Sequence, residues 1–291
     1  MKSLSRFISF APLAAVCLSS ADAAILLTDN FTDGNLTGGT DNSGIAWYAR
    51  SGNATLGIAN DPSPGFGTGN ALVMERAGAG TIVNRGIIGV LTNGITLSNP
   101  GDTVTLSFSF RFTTTASSTS PFSDTEGFTF GFYNSNGTPV SANGSSASDN
   151  DLGYRAEFGS GTDSWVGIAR EANFTTAAGG VGTGTDGVQM TVVDPVAVSI
   201  GDFLPRTGSI TLTYNSPTDM GISVSYNGNV VGTATNNAPI TTFDEVVFSQ
   251  GGGNGFLLDN VVVTSNVPEP GSVALMALGG VLCAAGYRRR K

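Results

Sequence analysis

Residues 103–114 fix the kind of structure this chain can form. Val104, Leu106, Phe108, Phe110 and Phe112 alternate strictly with Thr105, Ser107, Ser109, Arg111 and Thr113. Successive side chains of a strand point to opposite faces, so this period of two makes one face apolar and the other polar. That is an antiparallel sheet packed on one side only. Its phenylalanine face needs a second layer to cover it. Phe128, Phe130 and Phe132 repeat the pattern around Gly127 and Gly131, as do Ile210, Leu212 and Tyr214, then Ile222, Val224 and Tyr226. Asn227-Gly228 after the last of these predicts a type I′ hairpin that returns through Val230 and Val231. Turn residues bound shorter candidates at Ala24–Thr28, Ile45–Arg50, Ala54–Ala59 and Asn70–Glu75, and Phe256–Thr264 reads as the last strand. No stretch of residues 24–265 has an amphipathic helical period. Small polar segments at Thr113–Ser120, Ser141–Asp151 and Thr175–Gly187 read as surface loops, because strand patterning resumes after each. Many short strands without helices predict an all-β chain folded as a two-sheet β-sandwich.

Composition then removes whole classes of chemistry. The chain has no histidine, and its two cysteines, Cys17 and Cys283, lie in the terminal segments. Residues 24–267 therefore form no internal disulfide and build neither a Ser-His-Asp or Cys-His catalytic group nor a zinc site of His or Cys ligands. The same residues carry seven Arg and no Lys against twenty Asp and Glu, a net charge of −13. Such a surface repels phosphates and argues against nucleic acid.

Both ends carry targeting patterns. Lys2 and Arg6, the apolar run Phe7–Leu18 and the small-x-small triplet Ala21-Asp22-Ala23 read as a secretory signal peptide over residues 1–23. At the other end, Val267-Pro268-Glu269-Pro270 precedes an uncharged apolar run, Ser272–Gly286, and then Arg288-Arg289-Arg290-Lys291. Two prolines around one residue stop any strand or helix. The run would reach about 23 Å as a helix, against a hydrocarbon core of about 30 Å. Its terminal cations favour the cytoplasmic side. In this order the parts resemble the PEP-CTERM sorting signal of bacterial envelope proteins. The resemblance implies recognition of the tripeptide by an exosortase-type membrane protease, one short C-terminal transmembrane helix with its end in the cytoplasm before processing, and a place at the cell surface or outside the cell afterwards. Pro268–Pro270 is expected to be extended and exposed. The division is thus a signal peptide over 1–23, an ectodomain over 24–265 and a sorting tail over 266–291.

The ectodomain has a resemblance of its own. The segments LLTDNFTDGNL, GDTVTLSFSFRF, GFTFGFYNSNG and GFLLDNVVVT are similar to those of concanavalin A-like, or laminin G-like, jelly rolls. The resemblance implies that first and last strands are neighbours, which would bring Asp29 near Asp259. Three groups of residues are candidates for chemistry. Asp29 and Asp33, Asp149-Asn150-Asp151 and Asp259-Asn260 offer oxygen ligands, so calcium at Asp29 and Asp259 is the one cofactor considered; the alternative is that these are turn and cap residues. Trp47, Tyr48, Tyr133, Tyr154 and Trp165 could stack on sugar rings, with Trp47 and Trp165 the candidate ligand-binding residues; the alternative is core packing. Glu126, Glu157, Glu171 and Asp163 could supply a glycosidase carboxyl pair. The Glu-x-Asp-x-x-Glu run of retaining glucanases with this fold is absent, and Asp124-Thr125-Glu126 reads more simply as a turn.

Together these readings predict an exported, non-enzymatic envelope or extracellular-matrix protein of structural or adhesive role. A carbohydrate-binding module for envelope polysaccharide is the alternative, ahead of a glycoside hydrolase or an ice-binding protein.

Overall fold

The computed structural model describes residues 23–41, 44–50, 54–61, 69–76, 86–113, 127–145, 147, 150–159, 165–171, 187–193, 198, 200, 203–250 and 255–267. The named elements among them are all strands: β1 (Ala24–Asp29), β2 (Ile45–Ala49), β3 (Ala54–Asn60), β4 (Asn70–Arg76), β5 (Gly86–Thr96), β6 (Thr103–Phe112), β7 (Gly127–Asn134), β8 (Leu152–Gly159), β9 (Val166–Glu171), β10 (Gly187–Val193), β11 (Arg206–Ser216), β12 (Asp219–Tyr226), β13 (Asn229–Asn236), β14 (Thr242–Gln250) and β15 (Gly255–Ser265). They form two antiparallel sheets. One has the order β13-β12-β11-β6-β15-β4-β3, with β1 also paired to β15; the other has the order β10-β9-β8-β7-β14-β5-β2. The chain is thus an all-β sandwich, as its period-2 segments require. The proposed signal segment up to residue 22 and the tail from residue 268 lie outside the described residues. Among the described residues, no helix is long and apolar enough to cross a membrane.

The last strand holds the eight-stranded sheet together. One side of β15 runs along β6, from Phe256↔Phe112 to Ser265↔Val104. On its other side β4 pairs with residues 255–258, and β1 takes over from Val261 to Ser265. The change of partner falls at an irregularity between Asp259 and Val262, where Asn260 adopts a φ of 50°. A bulge of this kind leaves residues unpaired and re-aims the strand. First and last strands are therefore neighbours.

The sheets meet through an aromatic core. Phe108 makes edge contacts with Phe130 and Phe248, each with ring centroids 4.8 Å apart, and Phe110 stacks on Phe128 at 4.5 Å. These three strand segments, β6, β7 and β14, come from both sheets, so the rings join the layers. Ser109 faces away from that core yet is only 8% exposed, because it lies between its partners Thr207 and Asp259. The hairpin at Asn227-Gly228 has φ values of 48° and 79°, as a type I′ turn demands.

β5 and β14 lack the simple alternation of β6, whereas β8 keeps it: Leu152, Tyr154, Ala156 and Phe158 alternate with Gly153, Arg155, Glu157 and Gly159. In β8 and β14 nearly every residue is buried, because both faces are covered. A strand covered on both faces has no need of a polar side, and β14 shows none; the polar side of β8 is buried all the same. Phe110→Ala should cost about 3–5 kcal/mol, read from urea melts, since it opens a cavity between the sheets.

Candidate functional site

Asp29 and Asp259 flank the change of partner along β15. Both are fully buried. Asp29 Oδ1 accepts the Phe31 N–H (3.0 Å) and Oδ2 accepts the indole N–H of Trp47 (2.7 Å). Phe31 is itself buried in a left-handed conformation (φ 55°), so the carboxylate pins a turn that side chains rarely adopt. Asp259 Oδ1 accepts the Asn260 N–H at 2.7 Å, and Oδ2 the Asn260 amide at 3.2 Å. The four oxygens thus face N–H donors, which do not suit a calcium ion unless it displaces them. Among the described residues, no group of three or more acidic side chains is placed to hold a metal ion. Burial pushes the Asp29 carboxyl up to about 6, against the lowering effect of its two donors. Burial raises Asp259 as well, and the carboxylate of Asp61 adds to this; Asp61 is in turn paired with Arg111.

The two tryptophans occupy different places. Trp47 lies between the sheets, against Phe31 and Phe248 and over Gly89, where a methyl group would strike its ring. Trp165 lies on the outer face of the seven-stranded sheet, flat over Gly159. They are 2% and 1% exposed, so neither presents a ring face to solvent.

That outer face buries several polar side chains. Gly127, Gly153 and Gly159 form its floor, and Glu157, Tyr133 and Trp165 lie across them. The Tyr133 hydroxyl reaches over β8 to donate to Glu171 Oε2 at 2.8 Å. Arg155, Glu157 and Glu171 are at most 4% exposed. Glu126 and Asp163, the other carboxylates singled out in the sequence, fall outside the described residues. The segment after β7 covers one end of this face: Val140 packs on Ile88, Tyr133 and Val247, and Asn143 accepts the Ala49 N–H at 2.8 Å.

Beneath this cover lie Asp151 and Glu245, 3% and 0% exposed. Glu245 Oε1 accepts the Val140 N–H (2.9 Å); among the described residues, no donor other than the facing carboxyl of the pair reaches Glu245 Oε2 or either Asp151 oxygen. Burial, reinforced by the facing Glu245 and by Asp244 and Glu171, pushes the Asp151 carboxyl far above the usual carboxylate range. Glu245 is raised as well, chiefly by burial. Both carboxyls are thus pushed in the same direction, toward the protonated form. Asp151 is legible in the sequence only as part of an acidic loop. Its partner had a signal that periodicity passes over: two adjacent acids, Asp244-Glu245, inside the apolar segment TFDEVVF.

The remaining feature is the end of the sandwich where the chain leaves it. Ser265 Oγ donates to the Thr103 carbonyl, Asn266 Oδ1 accepts the Thr103 N–H and Asn266 Nδ2 donates to the Gly101 carbonyl. Val267 packs against the core and donates its N–H to Ser265 Oγ. The fold therefore fixes the chain up to Val267; Pro268–Pro270 and Arg288–Lys291 lie outside the described residues.

Residues 266–291 match the PEP-CTERM protein-sorting motif. The motif thus begins within the hydrogen-bonded clamp just described. No curated protein matches the chain. Among solved structures, the sandwich is similar to lectin I of Ulex europaeus, solved with the methyl glycoside of α-L-fucose (16% identity, 82% of this chain and 97% of that one, TM-score 0.45). It is also similar to an endo-β-1,4-glucuronan lyase from the fungus Trichoderma reesei (14%, 79% and 92%, 0.45) and to a protein of unknown function from Shewanella oneidensis (13%, 90% and 96%, 0.44). Similarity at this level bears on neither substrate nor activity.

Two outcomes follow from the buried carboxylates. Asp29→Ala leaves the Trp47 indole N–H without its acceptor in the core and should cost about 1–3 kcal/mol, equally with and without a chelator. A loss that vanishes in chelator would instead assign the carboxylate to a cation. For pH, the folded state holds protons on Asp29, Asp151, Glu245 and Asp259 that the unfolded chain releases in the ordinary carboxylate range. These groups therefore make stability greatest in mild acid and decrease it as pH rises, for Asp29 through about 6. Asp151→Asn, which has no proton to lose, should flatten the alkaline part of that decline in melting temperature.

Proposed function

We propose that this chain is an exported cell-envelope protein, sorted through its C-terminal motif, whose sandwich serves a structural or adhesive role at the cell surface or in the extracellular matrix. The observation that carries the reading is the match of residues 266–291 to the sorting motif, directly abutting the last strand. On this reading residues 1–23 direct export and are removed. Ser272–Gly286 crosses the membrane as a short helix, and Arg288–Lys291 stays in the cytoplasm. Prolines at 268 and 270 deny the tripeptide regular structure, which keeps Glu269 open to an exosortase-type membrane protease. A span shorter than the hydrocarbon core suits a transient signal better than a lasting anchor. No catalytic role is proposed: Tyr133 holds Glu171, and Asp151 and Glu245 sit beneath a covering segment.

A carbohydrate-binding role is the second reading. Its support is the outer face of the seven-stranded sheet, where Tyr133, Arg155, Glu157, Trp165 and Glu171 combine stacking and hydrogen-bonding groups. Against it, all five are at most 4% exposed, so a sugar would reach them only after the covering chain moved aside. Binding of envelope polysaccharide should then change the emission of Trp165; a glycan panel that leaves it unchanged removes this reading.

Replacing Pro268-Glu269-Pro270 with three alanines should leave the sandwich folded and exported but unprocessed at the inner membrane, read by fractionation in a host carrying an exosortase. Arrival of that variant at the surface with the wild-type C-terminus would show that the tripeptide is not the recognition element.

A further inference from the structure

The two ends of the ectodomain leave the sandwich side by side. Ala24, the first residue after the expected signal cleavage site, is paired with Ser265, and Ile25 with Thr264. The signal segment and the sorting tail are thus both attached at one end of the molecule. That end carries a groove of about 760 Å³, lined by Ile25, Leu26, Leu91, Asn93, Thr96 and Val267 among others. None of its lining residues is charged, in a domain whose net charge is −13. Ile25 and Leu26 are 67% and 37% exposed there. Exposed apolar side chains grouped in an uncharged concavity mark a surface that meets a partner.

Chain length restricts which partner that is. The hydrogen bonds of Ser265, Asn266 and Val267 leave no slack before the tripeptide. Glu269 lies two residues beyond Val267, at most about 7 Å of extended chain, and the apolar run starts at Ser272, within about 18 Å. A protein that grips Glu269 at the membrane surface must therefore touch this end of the sandwich. Elsewhere the acidic surface would be repelled by anionic headgroups; the uncharged groove is not.

We infer that this end groove is the surface on which the folded domain docks against the membrane-embedded protein that processes its tail. Recognition then has two parts: the tripeptide enters the processing site, and the apolar rim formed by Ile25, Leu26 and Val267 packs against the outer edge of the same protein. The inference rests on the sorting reading above.

The test is done with the full-length chain in a host carrying the processing enzyme. A photo-crosslinking residue at Ile25 should capture the enzyme, whereas the same residue at Val230, 63% exposed on β13 at the far edge of the sheet, should not. Ile25→Glu and, remote in sequence from the signal junction, Asn93→Glu should slow tail removal at least tenfold while thermal melting is unchanged. A Gly/Ser spacer of about 15 residues between Val267 and Pro268 should bring wild-type and Asn93→Glu chains to the same rate. Equal capture from both crosslinking positions, or wild-type processing of both glutamate variants, would overturn the docking surface and leave the sorting reading standing. A wild-type chain that is never processed in this host would overturn both.

Discussion

The rest of the structure depends on where the last strand sits. β15 bonds to β6 along one side and to β4 and then β1 along the other. Removing it would divide the eight-stranded sheet and free the first strand. Its middle residues, Asp259 and Asn260, form the irregularity at which one neighbour gives way to the next. Beside that point, on β1, the Asp29 carboxylate ties Phe31 and Trp47 into the core. A sheet centred on the final strand cannot be completed until nearly the whole chain is available. That order of events suits a protein that crosses a membrane unfolded and folds on the far side.

The same arrangement explains the relation between domain and tail. Pairing of Ala24 with Ser265 brings both ends together, and the clamp at residues 265–267 makes the boundary abrupt. The fold thus fixes the chain up to Val267, two residues before Glu269 of the sorting motif.

How much of this was legible in the sequence depended on which faces of each strand are wet. β6, β11 and β12 are polar on one side and announced themselves through alternation; the I′ turn at Asn227-Gly228 did so through its chemistry. β14 carried no alternation, because both of its faces are covered; β8 alternates Leu152, Tyr154, Ala156 and Phe158 with Gly153, Arg155, Glu157 and Gly159, but nothing in that pattern says that Arg155 and Glu157 are buried. Charged residues in a strand read as solvent-facing, and only the folded arrangement reveals that here they are not. Trp165 illustrates the same limit: residue type could not distinguish a stacking platform from a ring laid flat on Gly159 under cover. That the first and last strands are neighbours was legible through the jelly-roll resemblance, but the donors that face the oxygens of Asp29 and Asp259 come from Phe31, Trp47 and Asn260, which no spacing rule assembles.

The central claim is that the chain is delivered and trimmed at both ends around one β-sandwich. The most direct measurement is the intact mass of the protein recovered from the cell surface or medium of a host carrying an exosortase. The account predicts a mature chain that begins at Ala24 and ends within or next to Pro268–Pro270, with the apolar run and the Arg cluster gone. A surface-exposed chain that retains Arg288–Lys291 would contradict it.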